Sequence, residues 1–230
     1  MSSRTRPARF RPALAGALVA AGVLLAGCGG DASADDPAQA EGHDHGAGVE
    51  APAVVEGPDT GPYEGLHLQD PYQKPSFTLT GSDGQPYDFA AATADGPTLL
   101  FFGFTNCPDI CPTTMADVRL ALGDVDPAVA ERTNVVFVTT DPARDTPEVL
   151  GAYLDQFDAE LPTQFVGLTG DQEQVEQAQL AAGVPLAQDN GESHSALLLL
   201  YGTDGEADVA FDAGNTSRDI AHDLALVAAE

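Results

Sequence analysis

The stretch TLLFFGF at residues 98–104 decides the fold, because it is almost continuously apolar and ends before a helix of ordinary length could form. A strand with this composition is buried on both faces and belongs in the middle of a sheet covered by helices. Apolar residues then recur at helical spacing at Met115, Val118 and Leu122, and a second buried strand follows at 135–138. This strand–helix–strand order predicts the centre of a parallel sheet.

The flanking segments extend this sheet on both sides. Residues 77–80 and 85–89 surround the turn sequence GSDG and predict a β-hairpin before the central strand. Further strands are predicted at 165–168, 196–200 and 209–211. Helices are predicted to start with Thr146 as the cap and Pro147 as the first residue, to span 171–182, and to follow a cap at Thr216 or Ser217. The fold class is therefore predicted to be α/β, with a thioredoxin-like mixed sheet flanked by helices and an N-terminal β-hairpin extension.

The N-terminus has the pattern of an export signal. Four arginines within the first eleven residues precede an apolar run at 13–26, which is shorter than the roughly 20 residues that cross a bilayer. The run ends in LAGC at 25–28, which resembles a bacterial lipobox. We predict that residues 1–27 are a lipoprotein signal peptide and that Cys28 becomes lipidated, which would anchor the chain to the extracytoplasmic face of the cell membrane. An ordinary secretory leader is the alternative, and export follows from either.

A polar segment separates this leader from the folded part of the chain. Residues 29–65 contain nine acidic residues, eight glycines and four prolines, and neither lysine nor arginine. Such a composition cannot bury enough apolar surface to order itself, so 28–68 is predicted to be a disordered acidic linker and 69–230 the folded domain. His43 and His45 in the linker are either an accidental pair or a weak metal site.

The charge of the chain excludes one class of partner. The sequence contains 36 acidic and 9 basic residues, which give a net charge of −27. A basic face for phosphate backbones is therefore implausible, and no nucleic-acid binding is expected.

The expected oligomeric state is a monomer.

Two cysteines remain if Cys28 carries lipid. Cys107 and Cys111 lie in the loop between the central strand and the first long helix, where α/β proteins place their ligands. A spacing of four in a helical turn permits either a disulfide or two sulfurs on one metal. A purely structural disulfide is the alternative, although a bridge that closes so short a loop stabilises a protein little.

A third donor would favour metal binding over redox chemistry alone. His194 lies just before the strand at 196–200, so it is expected at the same end of the sheet as the cysteines. Two thiolates and one imidazole form a soft set of donors that suits copper, whereas zinc usually takes a fourth ligand. Asp109 and Asp141 are candidates for carboxylates that orient His194, or alternatively residues of the loops themselves.

Four segments together resemble the Sco/SenC family. They are GFTxCPDxCP at 103–112, DPxRDTP at 141–147, GLTG at 167–170 and His194-Ser195, and the resemblance extends from about Lys74 to the C-terminus. It implies a thioredoxin-like fold and a membrane-anchored copper chaperone for the binuclear copper centre of cytochrome c oxidase subunit II. It also implies copper ligation by Cys107, Cys111 and His194.

Other functions are compatible with the same sulfurs. A thiol-disulfide oxidoreductase that reduces the cysteines of subunit II would use Cys107 and Cys111 as a redox-active pair. A peroxide-reducing enzyme of the same superfold is a weaker hypothesis, since fold alone does not define function. The sequence favours a metallochaperone over an enzyme.

Overall fold

The structure is a computed structural model that describes residues 61–229. The predicted signal peptide 1–27, the lipidation site Cys28, and His43 and His45 of the predicted linker lie outside the described residues. None of the helices within 61–229 has the length and apolar character that crossing a membrane requires.

Strands and helices alternate along most of the described chain. The strands are β1 (Leu66–Gln73), β2 (Thr78–Gly81), β3 (Pro86–Asp88), β4 (Thr98–Gly103), β5 (Asn134–Thr139), β6 (Phe165–Thr169), β7 (Leu198–Tyr201) and β8 (Glu206–Phe211). The helices are α1 (Phe89–Ala92), α2 (Ile110–Asp124), α3 (Pro127–Arg132), α4 (Pro147–Asp158), α5 (Gln172–Ala181) and α6 (Ser217–Val227).

All eight described strands form one mixed sheet in the order β1-β8-β7-β4-β5-β6-β2-β3. β4, β5 and β6 run parallel to one another, with Phe101 opposite Phe137 and Val136 opposite Val166. β7 pairs antiparallel with the other side of β4, with Leu198 opposite Phe101. The carboxyl ends of β4 and β5 and the amino end of β7 therefore lie at the same edge of the sheet.

Side chains of the central strand alternate between two cores. Leu99 and Phe101 pack on the face that α2, α4 and α6 cover. Leu100 and Phe102 pack on the opposite face, which α1 and α5 cover. All six residues of β4 are buried, as the continuous apolar run predicts for a strand with helices on both sides.

The predicted α/β fold is confirmed. The hairpin forms as β2 and β3, and β2 also pairs antiparallel with β6, so the hairpin completes one end of the sheet. Thr146 caps α4 through its side chain, and Thr216 forms a capping box with Asp219 at the start of α6. Each predicted strand and helix is present within a few residues of its expected bounds.

Strand β1 was not predicted from the sequence. It begins at Leu66, before the predicted domain boundary at 69, and pairs antiparallel with β8 at the other end of the sheet. Its register shifts between His67 and Tyr72, around Pro71, which is where an edge strand tolerates proline. The buried carboxylate of Asp223 in α6 accepts hydrogen bonds from the amides of Glu64 and Gly65 at 2.9 and 2.8 Å and fixes the entry into β1.

Candidate metal centre

The cysteine loop joins the carboxyl end of β4 to the first turn of α2. Cys107 precedes the helix and is half-buried, whereas Cys111 lies in its first turn and is fully buried. The Cys111 amide points towards Cys107 Sγ at 3.5 Å, and both thiols are free. The helical start predicted for this loop therefore brings the two sulfurs to one place.

Gly103, the last residue of β4, allows Cys111 to lie against the strand. A Cβ atom at this position would lie 2.8 Å from Cys111 Sγ and 2.7 Å from Cε1 of Phe101. Both distances are shorter than van der Waals contact, so a larger residue would displace the thiol or the strand. The glycine is required here for close approach, a role that glycine serves where backbone and side chain crowd together.

His194 faces the buried thiol. Its Nε2 lies 3.8 Å from Cys111 Sγ, and its Nδ1 lies 2.7 Å from the carbonyl oxygen of Ser195. A carbonyl oxygen can only accept, so Nδ1 donates this hydrogen bond, and Nε2 is the ring nitrogen that faces the sulfur. Phe101 and Phe104 pack edge-to-face against the ring at centroid distances of 6.3 and 5.6 Å. The imidazole is thus oriented with its donor atom towards sulfur.

The segment that carries His194 is hydrogen-bonded to the carboxyl ends of β4 and β5 through Thr140. Thr140 follows β5, and its Oγ1 contacts the carbonyl oxygens of Gly103 and Gly191 at 3.2 and 2.8 Å. Gly191 ends a short turn over Asp189–Gly191 at φ +91°, where a Cβ would meet the Thr140 carbonyl oxygen at 2.1 Å. Gln188 and Ser193 close this turn with a pair of backbone hydrogen bonds. His194 therefore follows a tightly defined turn.

A buried carboxylate links the cysteine loop to the loop after β5. Asp145 is 1% exposed. It accepts hydrogen bonds from the amide and hydroxyl of Thr105 at 2.9 and 2.6 Å and from the hydroxyl of Thr139 at 2.7 Å. Three donors on one buried carboxylate offset its desolvation. Asp145 thus fixes the residues just before Cys107.

The two carboxylates expected to orient His194 do not bond its ring. Asp109 is exposed at the N-cap position of α2, and its carbonyl, not its side chain, accepts from Thr113. Asp141 is buried and bonds Arg144, which also donates to Glu192 at 3.0 Å. The ring is oriented by the Ser195 carbonyl instead. Asp141 acts on the histidine segment indirectly, through Arg144.

Sequence reasoning missed two contributors to this arrangement. Thr140 directly follows a buried parallel strand, and the rule that places ligands at carboxyl strand ends would have singled it out. Glu192 had no comparable signal, because its pairing with Arg144 depends on how two distant loops fold together.

The two thiols differ in acidity. Partial burial acts to raise the pKa of Cys107, but the amides of Asp109 and Cys111 and the side-chain hydrogen bond from Cys111 outweigh it, so the pKa lies below its ordinary value. Burial is the main reason that the pKa of Cys111 is raised far above its ordinary value. The first turn of α2 therefore stabilises a thiolate on Cys107, as helix N-termini do, while Cys111 remains a thiol.

The donor set fits a soft metal ion. Two sulfurs and one imidazole nitrogen are donors that Cu(I) accepts at low coordination number. Within residues 61–229, no three His, Cys, Asp or Glu side chains are already arranged as a complete set of ligands.

These features define a class of protein: a thioredoxin-like domain whose cysteine pair is faced by a histidine at the carboxyl edge of the central strands. The chain belongs to the SCO1/SenC family, which it matches over residues 67–229.

Relatives and solved structures agree with this assignment. The "Putative copper-binding protein" of Stutzerimonas stutzeri is 41% identical over 138 residues, which are 57% of this chain and 65% of that protein. The chain spans about half the length, or less, of the other curated relatives it matches. The apo Sco1 solution structures from Thermus thermophilus have a TM-score of 0.61 and 32% identity, covering 72% of this chain and 96% of theirs.

Another solved structure similar to this chain contains a bound metal. The structure of Bradyrhizobium japonicum ScoI with copper bound has a TM-score of 0.52 and 30% identity. It covers 67% of this chain and 96% of that chain. The predicted thioredoxin-like fold and family resemblance are thereby confirmed.

The acidity difference predicts selective alkylation. In the reduced full-length chain at neutral pH, iodoacetamide should modify Cys107 at least about tenfold faster than Cys111, because only a thiolate reacts. The lowered pKa means that the Cys107 rate persists to lower pH than it does in the unfolded chain. Peptide mass spectrometry of timed samples measures both sites, and equal rates at the two cysteines would contradict the assignment.

Because Gly103 lies so close to Cys111 Sγ, a side chain added at this position should destabilise the fold. Gly103→Ala should lower the free energy of unfolding of the reduced chain by about 1–3 kcal/mol, as overpacking usually does. Gly123→Ala is the matched control, because a Cβ at that position in α2 has no neighbour within 4 Å, and alanine should stabilise the helix by up to about 1 kcal/mol. Denaturant titrations measure both. Wild-type stability in Gly103→Ala would show that the thiol does not lie against the strand.

Proposed function

We propose that this chain is a membrane-anchored extracytoplasmic copper chaperone that serves the assembly of the binuclear copper centre of cytochrome c oxidase subunit II. The observation that carries the proposal is the position of the His194 ring, whose Nε2 faces the Cys111 sulfur at 3.8 Å. Disulfide exchange requires only the two sulfurs, whereas this imidazole adds a third donor for a metal ion.

Copper is the metal of this family's site. In the proposal it is bound by the sulfurs of Cys107 and Cys111 and by Nε2 of His194. Copper is the cargo of such a chaperone, and binding it replaces the proton on each thiol with a bond to the metal, releasing that proton to water. Soft sulfur donors favour Cu(I), and a three-coordinate site leaves room for an incoming ligand.

The residues around the site have separate tasks in this function. Cys107 is the more acidic and more exposed thiol, so it is the sulfur through which copper enters and leaves by ligand exchange. Cys111 is buried against Gly103 and retains the metal during that exchange. The Ser195 carbonyl holds the imidazole tautomer that can ligate, a role that second partners of metal-binding histidines generally have.

The partner follows from the family. Sco proteins take part in copper delivery to cytochrome c oxidase and in its assembly. We propose subunit II as the recipient. A recipient site made of thiolates and imidazoles would accept the metal through the same exchange of soft ligands.

The location follows from the N-terminal sequence. We propose that residues 1–27 are removed, that lipidated Cys28 anchors the chain, and that the acidic segment after Cys28 tethers the folded domain, which includes β1 from Leu66, outside the cytoplasmic membrane. An acidic tether repels anionic lipid headgroups and keeps the copper site away from the bilayer surface.

Histidine removal separates copper binding from redox chemistry. The reduced full-length chain should bind one Cu(I), and His194→Ala should weaken binding by at least about 100-fold, since loss even of an outer partner costs 10–100-fold. His67→Ala, on the edge strand β1, is the matched control and should bind as the wild type does. Competition with a chromophoric Cu(I) chelator measures all three.

The same variant tests the redox alternative. His194→Ala should still exchange disulfides with a small dithiol, because both sulfurs remain. If His194→Ala binds copper as tightly as the wild type, the chaperone proposal fails and a thiol-disulfide oxidoreductase becomes the better description.

The cellular part of the proposal has its own test. Cys28→Ser should move the chain from the membrane fraction to the soluble extracytoplasmic fraction, because the acyl chains provide the anchor. Deletion of the gene should lower the copper content of purified cytochrome c oxidase, and copies with Cys107→Ser should not restore it. An oxidase with full copper content in the deletion strain, grown at limiting copper, would contradict the proposed partner.

A further inference from the structure

Phe104 is a buried aromatic residue that belongs to neither hydrophobic core. It directly follows Gly103 at the carboxyl end of β4, and its side chain is almost fully buried, with 5% of the residue exposed. Neither of the two core clusters that the described residues form includes it. Phenylalanine is usually buried because it fills a core, so the burial of Phe104 has another basis.

The ring of Phe104 lies against His194. The two ring centroids are 5.6 Å apart and the ring planes are inclined at 87°, which is the edge-to-face arrangement that aromatic pairs favour. Phe101 also meets the imidazole, at 6.3 Å, but it is fully buried in the core, where it packs against Phe137. The contact from Phe104 is therefore one that the core does not require.

The backbone at Phe104 is held by the cysteine loop that it begins. The amide of Cys107 donates a hydrogen bond to the carbonyl oxygen of Phe104 at 3.2 Å. The amide of the next residue, Thr105, donates to the buried carboxylate of Asp145 at 2.9 Å. The ring of Phe104 thus projects from a backbone whose position is tied to that of the cysteines.

His194, in contrast, lies on an irregular segment. It belongs to no helix or strand and is placed between the turn Asp189–Gly191 and the start of β7 at Leu198. Its Nε2 faces Cys111 Sγ at 3.8 Å only while the imidazole keeps its place. A ring contact that originates in the cysteine loop therefore couples the position of the imidazole to that of the sulfurs.

We propose that Phe104 is a positioning residue of the copper site, whose ring holds the His194 imidazole beside the two sulfurs. The proposal rests on the proposed function and names one more residue of the same site. Phe104 has no side-chain atom that ligates copper, so it acts through His194. Without its ring, the imidazole spends less time beside the sulfurs, and copper is held by the two sulfurs alone for a larger fraction of the time.

The contact between the two rings can be measured without copper. In the reduced full-length chain, the ring current of Phe104 acts on the imidazole protons, so Phe104→Leu should shift the ring resonances of His194. Phe102→Leu is the matched control, because Phe102 is a buried phenylalanine of β4 in the core on the opposite face of the sheet. It should leave those resonances in place. Proton–carbon NMR spectra of the chain with labelled histidine, assigned with His194→Ala, measure the shift.

Removal of the ring should also weaken copper binding. Phe104→Leu should weaken Cu(I) binding by about tenfold, which is near the upper end of what an aromatic pair contributes. Phe102→Leu should lower the thermal midpoint, because it leaves a cavity in a core, but it should bind Cu(I) as the wild type does. Competition with a chromophoric chelator measures the affinities, and calorimetry establishes that each variant is folded.

A double-mutant cycle tests whether Phe104 acts through the imidazole. In the His194→Ala chain, the ring has no imidazole to hold, so adding Phe104→Leu should change the Cu(I) affinity by less than about twofold. The effects of the two substitutions are then far from additive. An equal loss of affinity from Phe104→Leu in both backgrounds would overturn the inference, since the effect would then arise from packing around the sulfurs.

The remaining outcomes separate this inference from the function on which it rests. If the wild type binds no Cu(I), or if His194→Ala binds it as tightly as the wild type does, the proposed function fails. If copper binding depends on His194 and Phe104→Leu binds Cu(I) as tightly as the wild type, only the inference is overturned. Unchanged His194 resonances in Phe104→Leu would overturn it as well.

Discussion

The directions of three strands determine where the chemistry of this protein lies. β4 and β5 run parallel, so the loops after Gly103 and Thr139 leave the sheet at one edge. β7 runs antiparallel to β4, with Leu198 opposite Phe101, so the chain reaches that edge just before β7 begins. His194 lies there. Cys111 and His194, which are 83 positions apart in sequence, are therefore brought together by the pairing of the strands.

The two cysteines at this edge differ in burial and in acidity. The amides at the start of α2 favour a thiolate on Cys107. Cys111, in the first turn of α2, is buried between Gly103 at the end of β4 and the His194 ring. A buried thiol of raised pKa and a half-buried thiol of lowered pKa suit a carrier that must both hold its cargo and release it. A metal site that only stabilises the fold would gain nothing from this difference, because structural sites are usually closed and fully coordinated.

Much of this organisation could be predicted from local sequence. The apolar run at 98–104 predicted the central strand, and Thr146-Pro147 predicted the start of α4, because burial and capping leave local patterns. β1 could not be predicted, since Asp70 and Pro71 interrupt its pattern and its partner β8 lies far along the chain. The rule that ligands lie at the carboxyl ends of parallel strands also predicted that the cysteine loop and His194 share one edge of the sheet, where Cys111 Sγ and His194 Nε2 are 3.8 Å apart.

The finer parts of the site depend on contacts that no residue pattern records. The proton on His194 is set by a backbone carbonyl, which every residue possesses, whereas we expected a carboxylate. The hydrogen bond from Thr140 to the turn before His194 depends on the positive φ of Gly191. A single glycine in a polar loop does not indicate such a hydrogen bond. Such contacts follow from the fold and become visible only with it.

The central claim is that copper is held by two sulfurs and one imidazole nitrogen of this chain. X-ray absorption spectroscopy at the copper edge, on the reduced full-length chain loaded with one equivalent of Cu(I), measures that ligand set directly. The account predicts two sulfur scatterers from Cys107 and Cys111 and one nitrogen scatterer with the outer-shell signature of imidazole, which His194→Ala removes. A spectrum with sulfur ligands alone, unchanged in His194→Ala, would contradict it.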